Sequence, residues 1–282
     1  MNRRYFIRQS GLLLAAANLS LPAFARAPKS LPLGVQLFSI RNYLNKDFDG
    51  TIAKVAEIGY KYVESAGYNR QQHTIHGQSP KVFREKLLAN HIEPVSAHAN
   101  FSLAEADASL EDFATVGVKY LVCPSARGEY RKTAQGYYQL AEELNAIGKK
   151  AKEKGIQFGY HNHDFEFKQV ENELPYDILL KNTDPEYVFF QPDLGWMIKA
   201  GYDPIDYFKK HSGRFPLWHL RDINESGAPV SAGSGKVDFK NIFANRKLAG
   251  YKLGIVETPT SQTEGISHIE KSIQFLGANK LY

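Results

Sequence analysis

Apolar residues recur along the chain with two different spacings. In one kind of segment they lie three or four positions apart, which predicts helices. Each such segment is followed by a glycine or polar break and then a short apolar run that is typical of a strand. Helices are predicted at residues 49–57, 80–89, 110–115, 137–154, 176–180, 205–210, 239–247 and 267–276.

Eight apolar runs of strand length alternate with these helices, beginning with LGVQLFSI at residues 33–40. This alternation favours a parallel sheet covered by helices, and eight units in a chain of this length predict an α/β fold, a single (β/α)8 TIM barrel domain at residues 31–282. The alternative is an open doubly wound sheet, which usually has a glycine-rich phosphate turn after its first strand. LGVQLFSIRNYL lacks that turn, and AGSGKVDF at residues 232–239 is interpreted as a flexible loop.

The first residues have the layout of an export signal. Arg3 and Arg4 are followed by an apolar run at residues 11–21 and by the small-residue stretch PAFARA. The arginine pair indicates the twin-arginine route, and the apolar run is too short to span a bilayer. We therefore expect a signal peptide at residues 1–25, a periplasmic or otherwise exported protein, and no stable membrane association after cleavage. The alternative is a basic amphipathic helix or a lipid-facing anchor.

Composition narrows the classes of partner. The formal net charge is +5, and loss of Arg3, Arg4 and Arg8 with the signal lowers it to +2. Such a small charge argues against nucleic acid as a partner. Cys123 is the one cysteine in the sequence, so no internal disulfide can form.

Polar residues stand at the ends of seven of the eight predicted strands. In a barrel the carboxyl ends of all strands meet at one face. Charges buried together there are costly unless they pair with one another or share a cation. The strand-end residues, in chain order, are Gln36, Glu64, His98, Cys123 with Pro124 and Ser125, His161 with His163, Asp193, His219 and Glu257.

The last four strands carry the richest set of possible metal ligands. Two imidazoles and two carboxylates form a site suited to Mn²⁺, Co²⁺, Fe²⁺ or Zn²⁺. A divalent ion there would polarise a carbonyl and stabilise an ene-diolate while a side chain moves the proton. The predicted ligands are His161, Asp193, His219 and Glu257.

The chain resembles the sugar phosphate isomerase/epimerase family of xylose isomerase-like TIM barrels. The resemblance spans nearly all of residues 33–276, and it rests on the ordered motifs GVQLFSIR, GYKYVE, GIQFGYHNH, PDLGWMIKAGYDP, WHLRD, GSGKVDFKNIF and GIVE. It implies a metal held by one residue from each of strands five to eight. Matched by motif, these residues are again His161, Asp193, His219 and Glu257.

The fifth strand departs from the family pattern. Where many members have Glu-Asn-His, this chain has His161-Asn162-His163, so that Glu257 alone remains of a facing pair of acid/base carboxylates. Members with dehydratase activity on keto-inositols are similar in having a histidine-rich fifth strand. We still expect metal binding, because imidazole can replace carboxylate as a ligand. The loss of one acid/base carboxylate makes β-elimination an alternative to isomerisation.

Further residues are assigned to catalysis or to the substrate. Glu257, His98 and His163 are the predicted acid/base groups. Plain hydrogen bonding is an alternative for His98 and Glu64, a loop role for Glu166, and a structural salt bridge for Arg221 beside Asp222. The predicted substrate contacts are Gln36, Glu64, Glu166, Trp196 and Arg221; Trp196, Trp218 and Phe38 could form an apolar wall or belong to the core.

Three functions fit these residues. The first is a metal-dependent isomerase or epimerase that acts through an ene-diolate on a small sugar or keto-sugar, unphosphorylated because the protein is expected to be exported. The second is a metal-dependent lyase that eliminates a β-hydroxyl or glycosyl group from a keto-sugar or keto-inositol. The third is a non-catalytic exported sugar-binding protein. The DNA-repair endonuclease branch is disfavoured by the low charge, and a homodimer stays open as the oligomeric state.

Overall fold

Eight parallel strands form a nearly closed barrel, as the sequence predicts. The structure is a computed structural model that describes residues 31–282, so the expected signal peptide at residues 1–25 lies outside the described residues. The strands are β1 Leu33–Gln36, β2 Tyr62–Ser65, β3 Glu93–His98, β4 Tyr120–Cys123, β5 Gln157–His161, β6 Val188–Gln191, β7 Leu217–His219 and β8 Leu253–Val256.

The strand order is β6-β5-β4-β3-β2-β1-β8-β7, and every neighbouring pair is parallel. Between β6 and β7 a continuous ladder is replaced by a single bridge that joins Asp193 to His219. The backbone bonds at this seam run from Phe190 N to Arg214 O and from His219 N to Pro192 O. The barrel therefore closes at the strands that carry two of the predicted ligands.

Helices cover the outside of this barrel. Most lie where the apolar spacing predicts them, but the predicted helix at 239–247 is two helices, and the short helices at residues 41–44 and 194–199 are not among the predicted ones. The described helices are α1 Arg41–Leu44, α2 Phe48–Ile58, α3 Pro80–Ala89, α4 Ala106–Val116, α5 Ala134–Glu153, α6 Pro175–Asn182, α7 Leu194–Lys199, α8 Pro204–Lys210, α9 Phe239–Ala244, α10 Arg246–Ala249 and α11 Gly265–Ala278. Among the described residues no helix is long and apolar enough to cross a membrane.

Local sequence explains where the helices begin and end. The Asp47 and Thr133 side chains accept hydrogen bonds from backbone N–H groups in the first turns of α2 and α5, which satisfies donors that have no partner inside the helix. Pro80 starts α3, where its missing N–H costs nothing. α2 and α4 end at Gly59 and Gly117, whose φ values of 112° and 79° are readily adopted by glycine.

The inside of the barrel holds a small apolar layer of its own, which we call the interior core. Gly159 on β5 faces this layer, and a Cβ atom added there would lie 2.5 Å from the Phe189 ring. The glycine thus leaves the volume that the Phe189 ring fills. The interior core consists of Tyr120, Val122, Phe189, Leu217, Leu253 and Ile255.

Candidate active site

The strand period of two residues places the chemistry directly above the interior core. Leu217 and Ile255 belong to that core, and His219 and Glu257 follow each of them by two positions. Because successive side chains on a strand point to opposite faces, residues two apart point to the same one. The barrel interior therefore changes from apolar to polar within one strand step. Gly159 and His161 repeat the pattern on β5.

The four predicted metal ligands come together. His161, Asp193, His219 and Glu257 are all buried, and one ligand atom from each lies within 4.8 Å of the others. His219 Nδ1 lies 2.6 Å from Glu257 Oε2 and 3.9 Å from Asp193 Oδ2. Segments far apart in sequence thus converge on one point, as the strand ends predict.

The donor set suits a divalent ion. His161 Nδ1 is buried without a hydrogen-bond partner, which leaves a lone pair unused. Burial, with the nearby rings of His219 and His98, lowers the pKa of His161 well below its usual value, so this imidazole is neutral at pH 7. Neutral imidazoles and carboxylates are the ligands that Zn²⁺, Mn²⁺ and similar ions take, and His219, which lies between two carboxylates, would release a proton when the ion binds. The residues present therefore fit the predicted metal.

Glu64 lies beneath the histidines and fixes their orientation. Its Oε1 lies 2.5 Å from His219 Nε2 and 3.0 Å from His98 Nε2, and Gln191 donates to its Oε2 at 2.8 Å. Burial alone would lower the pKa of His219, but the carboxylates of Glu64 and Glu257 outweigh it and raise that pKa to about 10. A carboxylate bonded to the far nitrogen of a ligating histidine is a common means of holding the ring in place.

Gln36 and Glu64 do not face the space where a substrate would lie, although the strand-end pattern assigns them to substrate contact. Both side chains are fully buried, and Gln36 donates to Glu64 Oε1 at 2.8 Å. The Ser96 hydroxyl also donates to Glu64, at 2.6 Å from Oε2. Their contacts are those of residues that support the two histidines.

Arg221 is a buried cation that joins two of the predicted ligands. Its Nε donates to Asp193 Oδ2 at 2.7 Å, and its Nη2 lies 2.6 Å from Glu257 Oε2. Burial would raise the pKa of Glu257, but Arg221 and His219 hold it well below its usual range. Arg221 thus forms a salt bridge with these two carboxylates and not with its neighbour Asp222.

Asp222 organises the loop that follows β7. Its carboxylate accepts hydrogen bonds from the backbone N–H groups of Ile223, Gly233, Gly235 and Val237. The interpretation of residues 232–239 as a flexible loop is therefore corrected, since three of these bonds, from Gly233, Gly235 and Val237, hold the segment. Backbone donors that could cradle a phosphate are already bonded to a protein carboxylate.

Asp193 also begins α7, one of the two short helices that the sequence pattern did not predict. Its Oδ1 accepts from Trp196 N at 2.9 Å, which caps the helix, while Oδ2 faces Arg221. Trp196 packs on the His163 ring at 6.2 Å between centroids and beneath the Arg221 guanidinium at 4.9 Å. Its indole therefore packs against Arg221 and His163 and does not line the basin described below.

Glu166 is also buried, and it connects the loop after β5 to the loop after β4. It accepts hydrogen bonds from Tyr160 OH at 2.5 Å and from His163 N at 2.8 Å, while Tyr160 OH accepts one from Ala126 N. Burial raises the pKa of Glu166 to about 7. The predicted contact of Glu166 with substrate is not what the structure shows; the side chain is fully covered and bonded to the protein.

An open cavity of about 410 Å³, which we call the basin, lies above the ligands. His98, His163 and Glu257, the three predicted acid/base groups, all border it. Phe38 stands at its mouth with 45% of its surface exposed. The other lining residues are Ala66, Gly67, Tyr68, Ala99, Asn100, Pro124, Ser125 and His161.

Several residues of the site escaped the strand-end pattern. Gln191 Oε1 accepts a hydrogen bond from His98 Nε2 at 2.7 Å, and Gln191 precedes Asp193 by two positions, so the alternation of the strand could have revealed it. Tyr68 lines the basin from a two-residue strand, Tyr68–Asn69, in the connection after β2, and Asn100 lines it from a loop. No periodicity marks a loop residue in a single sequence.

Comparison with known proteins agrees with the barrel fold. The sequence profile of the xylose isomerase-like TIM barrel matches residues 52–278. The chain belongs to this family. Its members share the arrangement in which strand ends of a parallel barrel meet at one face.

Curated relatives include the inosose dehydratase of Clostridium tetani, which is 30% identical over 165 residues. The match covers 51% of this chain and 55% of that protein, so the chain spans about half the length of the curated relatives it matches. A second relative, the inosose dehydratase of Clostridium perfringens, is 31% identical over 174 residues, with 54% and 58% of the two chains covered.

Among solved structures, a sugar phosphate isomerase/epimerase from Parabacteroides distasonis superimposes with a TM-score of 0.80 and 25% identity. The match covers 92% of this chain and 98% of that one. The IolI protein, solved with a zinc atom, gives a TM-score of 0.69 at 18% identity over 89% and 99% of the chains; this likeness concerns the fold.

Proposed function

We propose that this protein is a divalent-metal-dependent lyase that removes a β-hydroxyl group from a small, unphosphorylated keto-sugar or keto-inositol. The proposal is supported by the likeness to inosose dehydratases over half of the chain. It is further supported by a basin of suitable size that is bordered by three histidines and Glu257 and lies above the cluster of predicted ligands.

The observation that carries this choice is the imidazole at position 161. Isomerases that move a proton between two carbons use two facing acid/base groups, whereas elimination needs one base and one departing hydroxyl. Here His161 occupies the place of one family carboxylate, and burial keeps it neutral. Glu257 is the one carboxylate that borders the basin.

His161, Asp193, His219 and Glu257 would hold the ion. Bound there, the metal would supply Lewis acidity toward the ketone oxygen of the substrate. The remaining chemistry belongs to side chains that line the basin. His98 is the best placed of these, because its Nε2 is engaged with Gln191 Oε1 at 2.7 Å and Glu64 Oε1 at 3.0 Å. Its Nδ1 is the ring nitrogen left for the substrate.

In the elimination one imidazole, that of His98, carries out both proton transfers. His98 Nδ1 takes the proton from the carbon beside the ketone, and the electron pair of that C–H bond forms the C=C bond. The bond from the β-carbon to its hydroxyl breaks, and the departing oxygen receives the proton back from His98 and leaves as water. Glu64 stabilises the positive charge that His98 carries between the two transfers.

His163 is placed to orient a hydroxyl of the ring. Burial lowers the pKa of His163 to about 4, so at pH 7 the ring is neutral and can accept a hydrogen bond. Its Nδ1 is buried without a partner. Its position is set by Glu166, which binds the His163 backbone N–H.

Isomerisation or epimerisation of a keto-sugar is the second candidate function. The structure from Parabacteroides distasonis favours it, since that likeness covers nearly the whole of both chains. The two candidates share the metal and the first proton transfer. They differ in whether an oxygen leaves.

A single incubation in D₂O separates them. Metal-stripped protein is reloaded with Mn²⁺, Co²⁺ or Zn²⁺ and given an inosose or an unphosphorylated ketohexose, and the products are analysed by mass spectrometry. A lyase yields an enone product that has lost one water; an isomerase or epimerase yields an isomer that carries one deuterium on carbon. Release of isomer without loss of water would overturn the lyase proposal, and binding without turnover would favour a sugar-binding protein.

Variants connect the result to the site. His161→Ala and Glu257→Gln should lower both metal content and turnover, whereas His91→Asn, an exposed histidine with φ of 57°, should change neither. Unchanged metal content in both ligand variants would show that the ion binds elsewhere.

Export through the twin-arginine route is proposed as well, because the leader motif with Arg3 and Arg4 supports it. An unphosphorylated substrate follows from that proposal, since phosphorylated sugars are scarce outside the cytoplasm. The test is the mass of the mature protein and its distribution between cell fractions. Arg3→Lys with Arg4→Lys should retain the full-length chain in the cytoplasm. Periplasmic recovery of this double variant would contradict the proposal.

A further inference from the structure

The position of Arg221 is fixed from several sides. Gly195 leaves room for its stem, since a Cβ atom added at Gly195 would lie 2.9 Å from Arg221 Cγ. The guanidinium lies over the Trp196 ring at 4.9 Å and is 8% exposed. Two of its nitrogens reach carboxylates, namely Asp193 at 2.7 Å and Glu257 at 2.6 Å. Arg221 is therefore held in one position by packing against Trp196 and by two ion pairs.

The oxygens that Arg221 binds are the ones that face the other ligands. Asp193 Oδ2 and Glu257 Oε2 are also the carboxylate atoms nearest to His219 Nδ1, at 3.9 Å and 2.6 Å. The second oxygen of Asp193 is bonded to Trp196 N as a helix cap, so it cannot turn toward the ligand cluster without loss of that bond. The guanidinium and a divalent ion bound by Asp193 thus need the same oxygen, Asp193 Oδ2, and both are attracted to the Glu257 carboxylate.

We infer that Arg221 is a resident cation that competes with the divalent ion for Asp193 and Glu257. It holds the two carboxylates together when the ion is absent, and it weakens the binding of the ion when the ion is present. The inference rests on the metal-dependent function proposed above, and it adds that the site is built for an exchangeable ion.

The physical reason is charge. Two carboxylates in a buried site repel each other, and a positive group between them removes this repulsion. The same positive charge repels an arriving divalent ion, and in a water-poor environment this repulsion is only weakly screened. Loss of Arg221 would therefore free both carboxylates for the ion, at the expense of the stability of the metal-free protein.

The test compares Arg221→Gln, Arg221→Lys and Lys199→Gln with the unaltered protein. Lys199 is the matched control, because its Nζ lies over the same Trp196 ring at 4.5 Å but pairs with Asp164 at 3.1 Å and not with the ligands. Mn²⁺ affinity is measured by competition with a chelating dye. The thermal unfolding midpoint is measured before and after Mn²⁺ is added.

Arg221→Gln should bind Mn²⁺ at least tenfold more tightly than the unaltered protein, with Arg221→Lys between them and Lys199→Gln within twofold. The metal-free Arg221→Gln protein should unfold at a lower temperature, and Mn²⁺ should raise its midpoint more than that of the unaltered protein. Recovery of folded Arg221→Gln only in the presence of Mn²⁺ would also support the inference.

The inference would be overturned if folded Arg221→Gln bound Mn²⁺ no more tightly than the unaltered protein. If that variant does not fold with or without metal, Mn²⁺ affinity in Arg221→Lys that is equal to or weaker than that of the unaltered protein would overturn the inference. Failure of every protein to bind metal would overturn both this inference and the metal-dependent function. If the unaltered protein turns over a keto-sugar but binds Mn²⁺ as tightly as Arg221→Gln does, this inference is overturned and the metal-dependent function stands.

Discussion

Two layers inside the same barrel differ in almost every respect. The interior core is apolar, and its strands carry residues such as Leu217 and Ile255. One strand step above it, His219 and Glu257 belong to a layer in which nearly every side chain is charged or bonded to a charge. The lower layer contributes stability by excluding water, whereas the upper layer contributes binding groups whose burial is costly. The period of the β-strand thus places stabilising residues and chemically active residues in separate layers of one barrel.

The largest effect should come from removing the carboxylate that supports the upper layer. Glu64→Ala leaves His219, His98 and Gln191 without their shared acceptor. We expect a loss of about 3–5 kcal/mol in the free energy of unfolding, together with loss of bound metal. Urea unfolding measures the first quantity and elemental analysis the second. Glu93→Ala, at the exposed start of β3, is the control and should cost less than about 0.5 kcal/mol; equal losses in the two variants would refute the supporting role of Glu64.

A smaller effect, dependent on pH, is expected at Glu166. Burial raises the pKa of this carboxyl group from 4.5 to about 7 in the folded protein. The unfolded chain therefore releases the proton at lower pH than the folded chain, so the stability contribution of Glu166 falls as pH rises from 4.5 to 7 and is constant above that. The fall amounts to about 3 kcal/mol at most.

Urea unfolding at pH 4.5, 6 and 7.5 tests this relation. The stability of the unaltered protein relative to Glu166→Gln should decrease through this range, because glutamine carries no charge to bury. For Glu225→Gln, at an exposed position, the curve of unfolding free energy against pH should run parallel to that of the unaltered protein. Parallel curves for Glu166→Gln as well would contradict the raised pKa.

Gly159→Ala probes the boundary between the two layers. The new methyl group would lie 2.5 Å from the Phe189 ring, and overpacking of this kind costs about 1–3 kcal/mol. The double variant Gly159→Ala with Phe189→Leu should recover part of that loss, and the coupling free energy from a double-mutant cycle measures how much. A cycle with no coupling would show that the ring does not set the space at this position.

The smallest change in stability belongs to the mouth of the basin. Phe38→Ala should alter the free energy of unfolding by less than about 0.5 kcal/mol, because the ring is 45% exposed. It should raise KM for a ring-shaped substrate by about three- to tenfold, through loss of an apolar contact. Leu103→Ala, 38% exposed and outside the basin lining, should leave KM unchanged. Equal KM values for the two variants would remove Phe38 from the binding surface.

The barrel and the convergence of its ligands could be predicted because both follow from simple periods. Repetition of strand and helix fixes which strands are neighbours, and Asp193, His219 and Glu257 each stand at or just after a strand end. One repeat length therefore determines both the topology and the location of these side chains.

The detailed partners could not be predicted in this way. Whether Glu64 meets a substrate or His219 depends on a contact across 155 residues of sequence. The bulge between Val63 and Glu64 in the pairing of β2 with β3 shifts which residues oppose each other, and no sequence pattern reports it. Arg221 likewise finds its partners on two other strand ends and not beside itself.

The incomplete ladder between β6 and β7 has a mechanical consequence. The cylinder is joined there by a few backbone bonds, and the bridge between Asp193 and His219 lies within that seam. An ion held by both residues would act as a clasp on the wall of the cylinder. Its arrival should slow deuterium exchange of the Phe190 and His219 amides, which would make the seam a reporter of occupancy that needs no substrate.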